Sequence, residues 1–83
     1  MKNVVLYALS TCGWCKRTRI FLEDNDVEFE CIYVDLLKGA ERDAMIRAVR
    51  RWNPRGSFPT IVVDDKEVVA GFKQDRLCEV LEL

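Results

Sequence analysis

Cys12 and Cys15 are the residues of this chain whose type and spacing can carry chemistry. Two thiols with two residues between them, here Gly13 and Trp14, can take over a disulfide. One thiolate attacks, a mixed disulfide forms, and the second thiol, one helical turn on, displaces it. The pair follows the strand-like run Val4-Val5-Leu6-Tyr7-Ala8 and precedes the helical run Lys16 to Glu23. Both sulfurs are thereby expected at a helix mouth, the backbone end that favours negative charge, and the thiolate is the attacking form. Cys12 at the entrance is the expected nucleophile and Cys15, inside the helix, the resolving thiol. Lys16, Arg17 and Arg19 either add to the positive field or form a solvated helix face. The same spacing is half of a zinc site, but the chain has no histidine, and Cys31 and Cys78 stand alone.

The elements that must position the pair are legible in outline. After the first strand and helix, Glu23-Asp24-Asn25-Asp26 ends the helix, and Val27 to Val34 alternates as a second strand. Strand, helix and strand make a right-handed crossover with a parallel pair. Ala40, Ala44, Met45, Ala48, Val49 and Trp52 recur at three- and four-residue steps, the stripe of a second helix that ends with Trp52 in the core. Asn53-Pro54-Arg55-Gly56-Ser57 is dense in helix breakers and reads as a loop. Thr60 to Val63 and Glu67 to Ala70 are strands of a hairpin turning at Asp64-Asp65-Lys66, and a last helix carries Leu77, Val80 and Leu81. Cys31 shares a strand face with Val27, Phe29 and Tyr33, and Cys78 sits beside Leu77, so both read as core filling. Either one lying exposed near Cys12 would instead suggest a regulatory disulfide. The order β-α-β-α-β-β-α predicts an α/β domain, a four-stranded mixed sheet with helices on both faces, which is the thioredoxin-fold arrangement. A copper-chaperone domain would need a different order and a methionine where this chain has Ser10.

Composition narrows the class. A chain of 83 residues is one small domain, and its 49% hydrophobic content supplies a core without cross-links, so the four cysteines need not be staples. A net charge of -1 gives no general attraction for nucleic acid or an anionic membrane. No apolar run approaches the roughly 20 residues that span a bilayer. Met1-Lys2-Asn3 leads straight into the first strand, leaving no room for a signal peptide, so the expected compartment is the reducing cytoplasm.

Three segments together resemble the glutaredoxins, particularly their NrdH-redoxin-like branch: Tyr7 to Cys15, Gly56-Ser57-Phe58-Pro59-Thr60, and Val69-Ala70-Gly71-Phe72-Lys73-Gln74-Asp75. The resemblance covers essentially the whole chain. It implies a thiol-disulfide oxidoreductase of protein disulfides, with Pro59 cis against the cysteines and the Phe58 backbone free to pair with an extended substrate. Gly13, Trp14, Phe58, Pro59, Thr60, Gly71 and Phe72 are the residues it places against substrate. It implies a monomer with no tightly bound cofactor, reduced by thioredoxin reductase with NADPH or by glutathione, with ribonucleotide reductase as a target. Two departures bear on the donor. Leu9 stands where glutathione-using members often carry lysine, and Ala70-Gly71-Phe72-Lys73-Gln74 stands where they have Gly-Gly and acidic residues. A third departure, Gly13 in place of a frequent proline, resembles members that hold a [2Fe–2S] cluster between two subunits through Cys12 and outside thiols.

Overall fold

The computed structural model describes residues 2–83. Strand β1 (Val4–Ala8) leads into α1 (Gly13–Asp24) and β2 (Glu30–Tyr33), followed by a 3-10 turn (Val34–Leu36). Helix α2 (Gly39–Trp52), strands β3 (Thr60–Val63) and β4 (Glu67–Ala70), and helix α3 (Gln74–Leu81) complete it. The sheet runs β2-β1-β3-β4, with β1 and β2 parallel and the other two neighbouring pairs antiparallel. This is the expected thioredoxin-like α/β arrangement.

Alternation along the strands decides which helix covers which face. Val4, Leu6 and Ala8 of β1, Ile61 and Val63 of β3 and Val69 of β4 form one core with Cys15 and Leu22 of α1 and Leu77, Val80 and Leu81 of α3. On the other face Val62 is buried, and Val34 and Val49 are buried in the elements on that side. Every residue of β3 is buried, as an inner strand covered on both faces requires. The β3–β4 turn holds both Asp64 and Asp65 at positive φ, a conformation aspartate tolerates better than most side chains. Asp64 also ties this turn to β1: its carboxylate accepts the Asn3 N–H at 2.7 Å, and its own N–H donates to the Asn3 carbonyl at 2.7 Å.

Two expectations need correction. The second strand is shorter than 27–34, because its pairing with β1 begins only at Val5↔Glu30. Val27 and Phe29 still pack on the core from an irregular approach, and Val34 has already entered the 3-10 turn. The stripe of α2 is also shallower than its periodicity suggests. Val49 alone is fully buried, Ala40 is exposed and Trp52 is only half-buried, because Asn53 takes the buried position at the end of the helix. Cys31 does pack against the main core as expected, while Cys78 is half-buried. Among the described residues no helix is long and apolar enough to cross a membrane.

Leu77 is fully buried and fastens α3 to the sheet. Leu77→Ala is expected to lower the unfolding free energy by about 2–5 kcal/mol. Urea titration checks this, and a loss below about 1 kcal/mol would mean that α3 does not close the core.

Candidate active site

The site is built where β1 ends and α1 begins. Cys12 is the N-cap of α1, with extended backbone (φ -90, ψ 119), and its Sγ accepts the Cys15 backbone N–H at 3.1 Å. The first turn of a helix leaves its N–H groups without partners, and here a sulfur takes the place usually filled by serine or aspartate. The approach to Cys12 is fixed on both sides. The Cys12 N–H donates to the Leu9 carbonyl at 3.2 Å. Ser10 donates its N–H at 2.9 Å to one oxygen of Asp35 and its hydroxyl to the other. The Ser10 hydroxyl and N–H hold the Asp35 carboxyl below the usual carboxylate range. A side chain of the 3-10 turn thus anchors the loop that carries the nucleophile.

The two sulfurs differ sharply in environment. Cys12 is half-buried, whereas Cys15 is 2% exposed and belongs to the main core. Burial, then its hydrogen bond with Cys12, pushes the Cys15 thiol up to about 12. Among the described residues no cysteine is disulfide-bonded. The three cations of α1 have separate positions. Arg17 lies over the Trp14 ring, 5.0 Å from its centroid, Arg19 pairs with Glu23 at 3.2 Å, and Lys16 is exposed.

The other residues expected at the site gather beside the cysteines. The Phe58–Pro59 bond is cis. Trp14, Phe58, Pro59, Gly71 and Phe72 line a hollow of about 250 Å³. Trp14 forms its exposed wall (57% exposed), with the Phe72 ring 6.2 Å away and Phe21 meeting Phe72 edge-on at 5.8 Å. Gly71 is at φ +86, where a side chain would be strained, and its N–H donates to the Pro59 carbonyl at 2.8 Å. Among the described residues neither backbone polar group of Phe58 has a hydrogen-bond partner. Gly13 is exposed at the helix entrance with open space around it. Thr60 is different. It is fully buried, and its hydroxyl donates to the Ser57 carbonyl at 2.8 Å, so its side chain supports the loop and cannot meet a substrate.

Asn53 is the functional residue that sequence reasoning missed. It is 5% exposed, and its amide nitrogen faces the Thr60 hydroxyl at 3.1 Å, the Ser57 hydroxyl at 3.0 Å and the Ser57 carbonyl at 3.3 Å. Its side-chain oxygen accepts the Arg55 N–H at 3.3 Å, and its backbone carbonyl accepts the Gly56 N–H at 2.8 Å. One side chain therefore shapes the loop that delivers Phe58 and Pro59. An asparagine among helix breakers reads as a loop residue, and only the hydroxyls at Ser57 and Thr60 hint at its partners. A larger hollow of about 450 Å³ lies at the opposite end of the sheet beside Lys2, Glu28 and Phe29, away from the thiols. Among the described residues no group of three or more histidine, cysteine or acidic side chains is placed to hold a metal ion.

Comparison with known proteins agrees with this geometry. The sequence model of the Glutaredoxin family matches residues 4–68. The solved structure of methanoredoxin from Methanosarcina acetivorans is 43% identical, with a TM-score of 0.94 over 98% of this chain and 85% of that one. The glutaredoxin of Methanosarcina mazei Go1 is 43% identical, with a TM-score of 0.93 over 98% of this chain and 79% of that one. The gene 56 protein of Mycobacterium phage D29 is 30% identical over 95% of this chain and 82% of its own length.

Three outcomes follow from the burial of Cys15 and Asn53. In the reduced protein, iodoacetamide is expected to label Cys12 and spare Cys15 from pH 7 to 9, as read by peptide mapping. Because folding raises the Cys15 thiol above its unfolded value, the reduced fold should lose stability as pH rises from about 9 toward 12. Asn53→Ala removes the buried amide that donates to Ser57 and Thr60 and should cost about 1–3 kcal/mol. Urea titration reads that loss, and disulfide turnover should fall with it as the Phe58 loop loosens.

Proposed function

Because the chain belongs to the glutaredoxin family, whose members are thiol-disulfide oxidoreductases, we propose that it reduces protein disulfides by a dithiol mechanism run through Cys12 and Cys15. The observation that carries this reading is the capped sulfur: Cys12 half-exposed, held by the Cys15 N–H, with the Cys15 thiol buried directly behind it. A sulfur that accepts a helix N–H is well placed to act as an anion, since hydrogen bonds to charged acceptors are the stronger ones. Cys12 thiolate attacks one sulfur of the substrate disulfide and expels the other as a thiolate, forming a mixed disulfide. Cys15 then loses its proton to the departing thiolate and attacks Cys12. The second substrate thiol leaves, and the Cys12–Cys15 disulfide retains the oxidation. Burial keeps Cys15 protonated until the mixed disulfide forms, which favours a fixed order of attack.

The substrate chain would lie along Phe58, whose unpartnered N–H and carbonyl suit strand addition. Gly13, Trp14, Pro59, Gly71 and Phe72 would form the surrounding contacts. The donor reading follows from the stretch beyond Gly71. Phe72 packs on Trp14 and Phe21, and Lys73 and Gln74 stand where glutathione-using members present carboxylates. This favours an NrdH-redoxin-like protein reduced by thioredoxin reductase and NADPH over one reduced by glutathione. It would work as a cytoplasmic monomer, with ribonucleotide reductase as one target. The alternative, a [2Fe–2S] protein with little reductase activity, would draw Cys12 from each of two chains and two outside thiols.

Three measurements test this reading. Cys12→Ser should abolish insulin reduction, and unchanged turnover would sink the mechanism. Cys15→Ser should accumulate mixed disulfides visible as a mass increase under non-reducing conditions. Turnover with thioredoxin reductase and NADPH should exceed turnover with glutathione and its reductase, and the reverse order would overturn the donor assignment. Iron analysis of anaerobically purified protein separates the cluster alternative.

A further inference from the structure

Two stretches of this chain carry cations with no acid among them. Arg47, Arg50, Arg51 and Arg55 fall between Asp43 and Asp64 with no acid among them, and none of the four is ion-paired among the described residues. From Cys12 to Leu22, α1 likewise carries Lys16, Arg17 and Arg19 and no acid. Arg17 and Arg50 bring these stretches to the apolar surface around Trp14 and Phe58. Acids line the opposite end of the sheet, where α1 finishes (Asp24, Asp26), β2 starts (Glu28, Glu30) and the β3–β4 hairpin turns (Asp64, Asp65), while Asp35, Glu41, Asp43 and Asp75 lie outside that end, Asp35 bonded to Ser10 beside Cys12. The net charge of -1 conceals these two cationic stretches.

The apolar surface between the cations is continuous through one side chain. Phe58 walls the hollow beside Trp14 and Phe72, and it also walls a second hollow of about 170 Å³ lined by Ile46, Val49, Arg50 and Gly56. At one end of this trough Arg17 lies over Trp14. At the other, Arg50 covers Gly56 so closely that a Cβ there would come within 3.2 Å of its Nε. The trough therefore has an aromatic floor, a free backbone at Phe58 and an unpaired guanidinium at each end.

We propose that this trough selects disulfides set in acidic, apolar protein segments, with carboxylates of the partner meeting Arg17 and Arg50 while its apolar side chains cover Phe58. The inference rests on the dithiol reading above and names the class of its substrate. Such a segment is attracted from a distance by the arginines beside the trough, which speeds productive encounter more than it tightens the final complex. Chemistry at the sulfur is unchanged: two electrons pass from the Cys12–Cys15 dithiol to the partner disulfide, and both partner sulfurs leave as thiols.

The test uses pre-reduced protein in single turnover against three disulfide-closed peptides that differ only in flanking residues, Asp, Asn or Lys. At about 20 mM salt the Asp peptide should be reduced roughly tenfold faster than the Lys peptide, narrowing to less than about twofold at 0.5 M salt. Arg50→Gln should reduce the Asp-to-Lys rate ratio several-fold, and Arg50→Lys should keep most of it. Equal rates for the three peptides, or a ratio insensitive to Arg50→Gln, would overturn the proposal. Inhibition by single-stranded oligothymidylate at concentrations below those at which the Asp peptide saturates would also overturn it, assigning the cations to nucleic acid. Hydroxyethyl disulfide serves as the uncharged control. Failure to reduce this control and all three peptides would refute the dithiol reading itself, whereas reduction of the control alongside equal peptide rates refutes only the selection by charge.

Discussion

The hydrogen bond from the Cys15 N–H to the Cys12 sulfur is the constraint on which the rest of the site depends. It is at once a helix cap and a link between the two reacting residues. As a cap it fills a backbone valence that α1 cannot satisfy internally, so the fold gains from keeping the sulfur in place. As a link it holds Cys12 at the entrance and Cys15 one turn inside. The exposure of one sulfur and the burial of the other then follow from helix geometry alone. The cap requires β1 to end and α1 to begin within four residues. That spacing is secured by the Ser10–Asp35 bonds, which reach from the loop to the far end of β2.

Opposite the cysteines, a second scaffold presents Phe58 and Pro59, and it is held by different forces. Asn53 and Thr60, both buried, form a polar cluster with the exposed Ser57 in which each hydroxyl has a partner. Gly71 extends the β3–β4 pairing one step further by its bond to the Pro59 carbonyl. The aromatic rings of Trp14, Phe72 and Phe21 then join α1 to the stretch after β4. The two halves of the site thus meet through apolar contact, while each half is fixed internally by hydrogen bonds. A partner segment can enter between them without breaking a polar bond of either half.

Much of this was legible in the sequence because the signals were local. The CxxC between a β-branched run and a helical run fixed the position of the thiols. Thr60 to Val63 and Glu67 to Ala70 matched the observed strands residue for residue, since apolar runs bounded by turn formers leave little latitude. The resemblance carried by Phe58-Pro59 correctly implied the cis bond. What was not legible depends on residues distant in sequence. Nothing near Asp35 points to Ser10, 25 positions earlier. The apolar spacing of α2 could not reveal that its face meets a shallow surface, leaving Trp52 half-buried and Asn53 inside. Thr60 was legible as a neighbour of the site, but its burial, and hence its supporting role, depends on the Asn53 loop folding over it.

Reaction and selection are separable in this molecule because they draw on interactions of different range. Attack and resolution need two sulfurs within one helical turn, and the cap supplies that geometry whatever the partner. Selection has to act before the sulfurs meet, over distances at which hydrogen bonds are silent and charge is not. Arg47, Arg50, Arg51 and Arg55 make no ion pair among the described residues, so no acid of the fold accounts for their charge. Their position beside the apolar trough gives them a role that the core cannot. A small domain with one conserved kind of chemistry can then be directed to different partners by changing surface charge, while the capped cysteine, the buried thiol and the Asn53 cluster stay as they are.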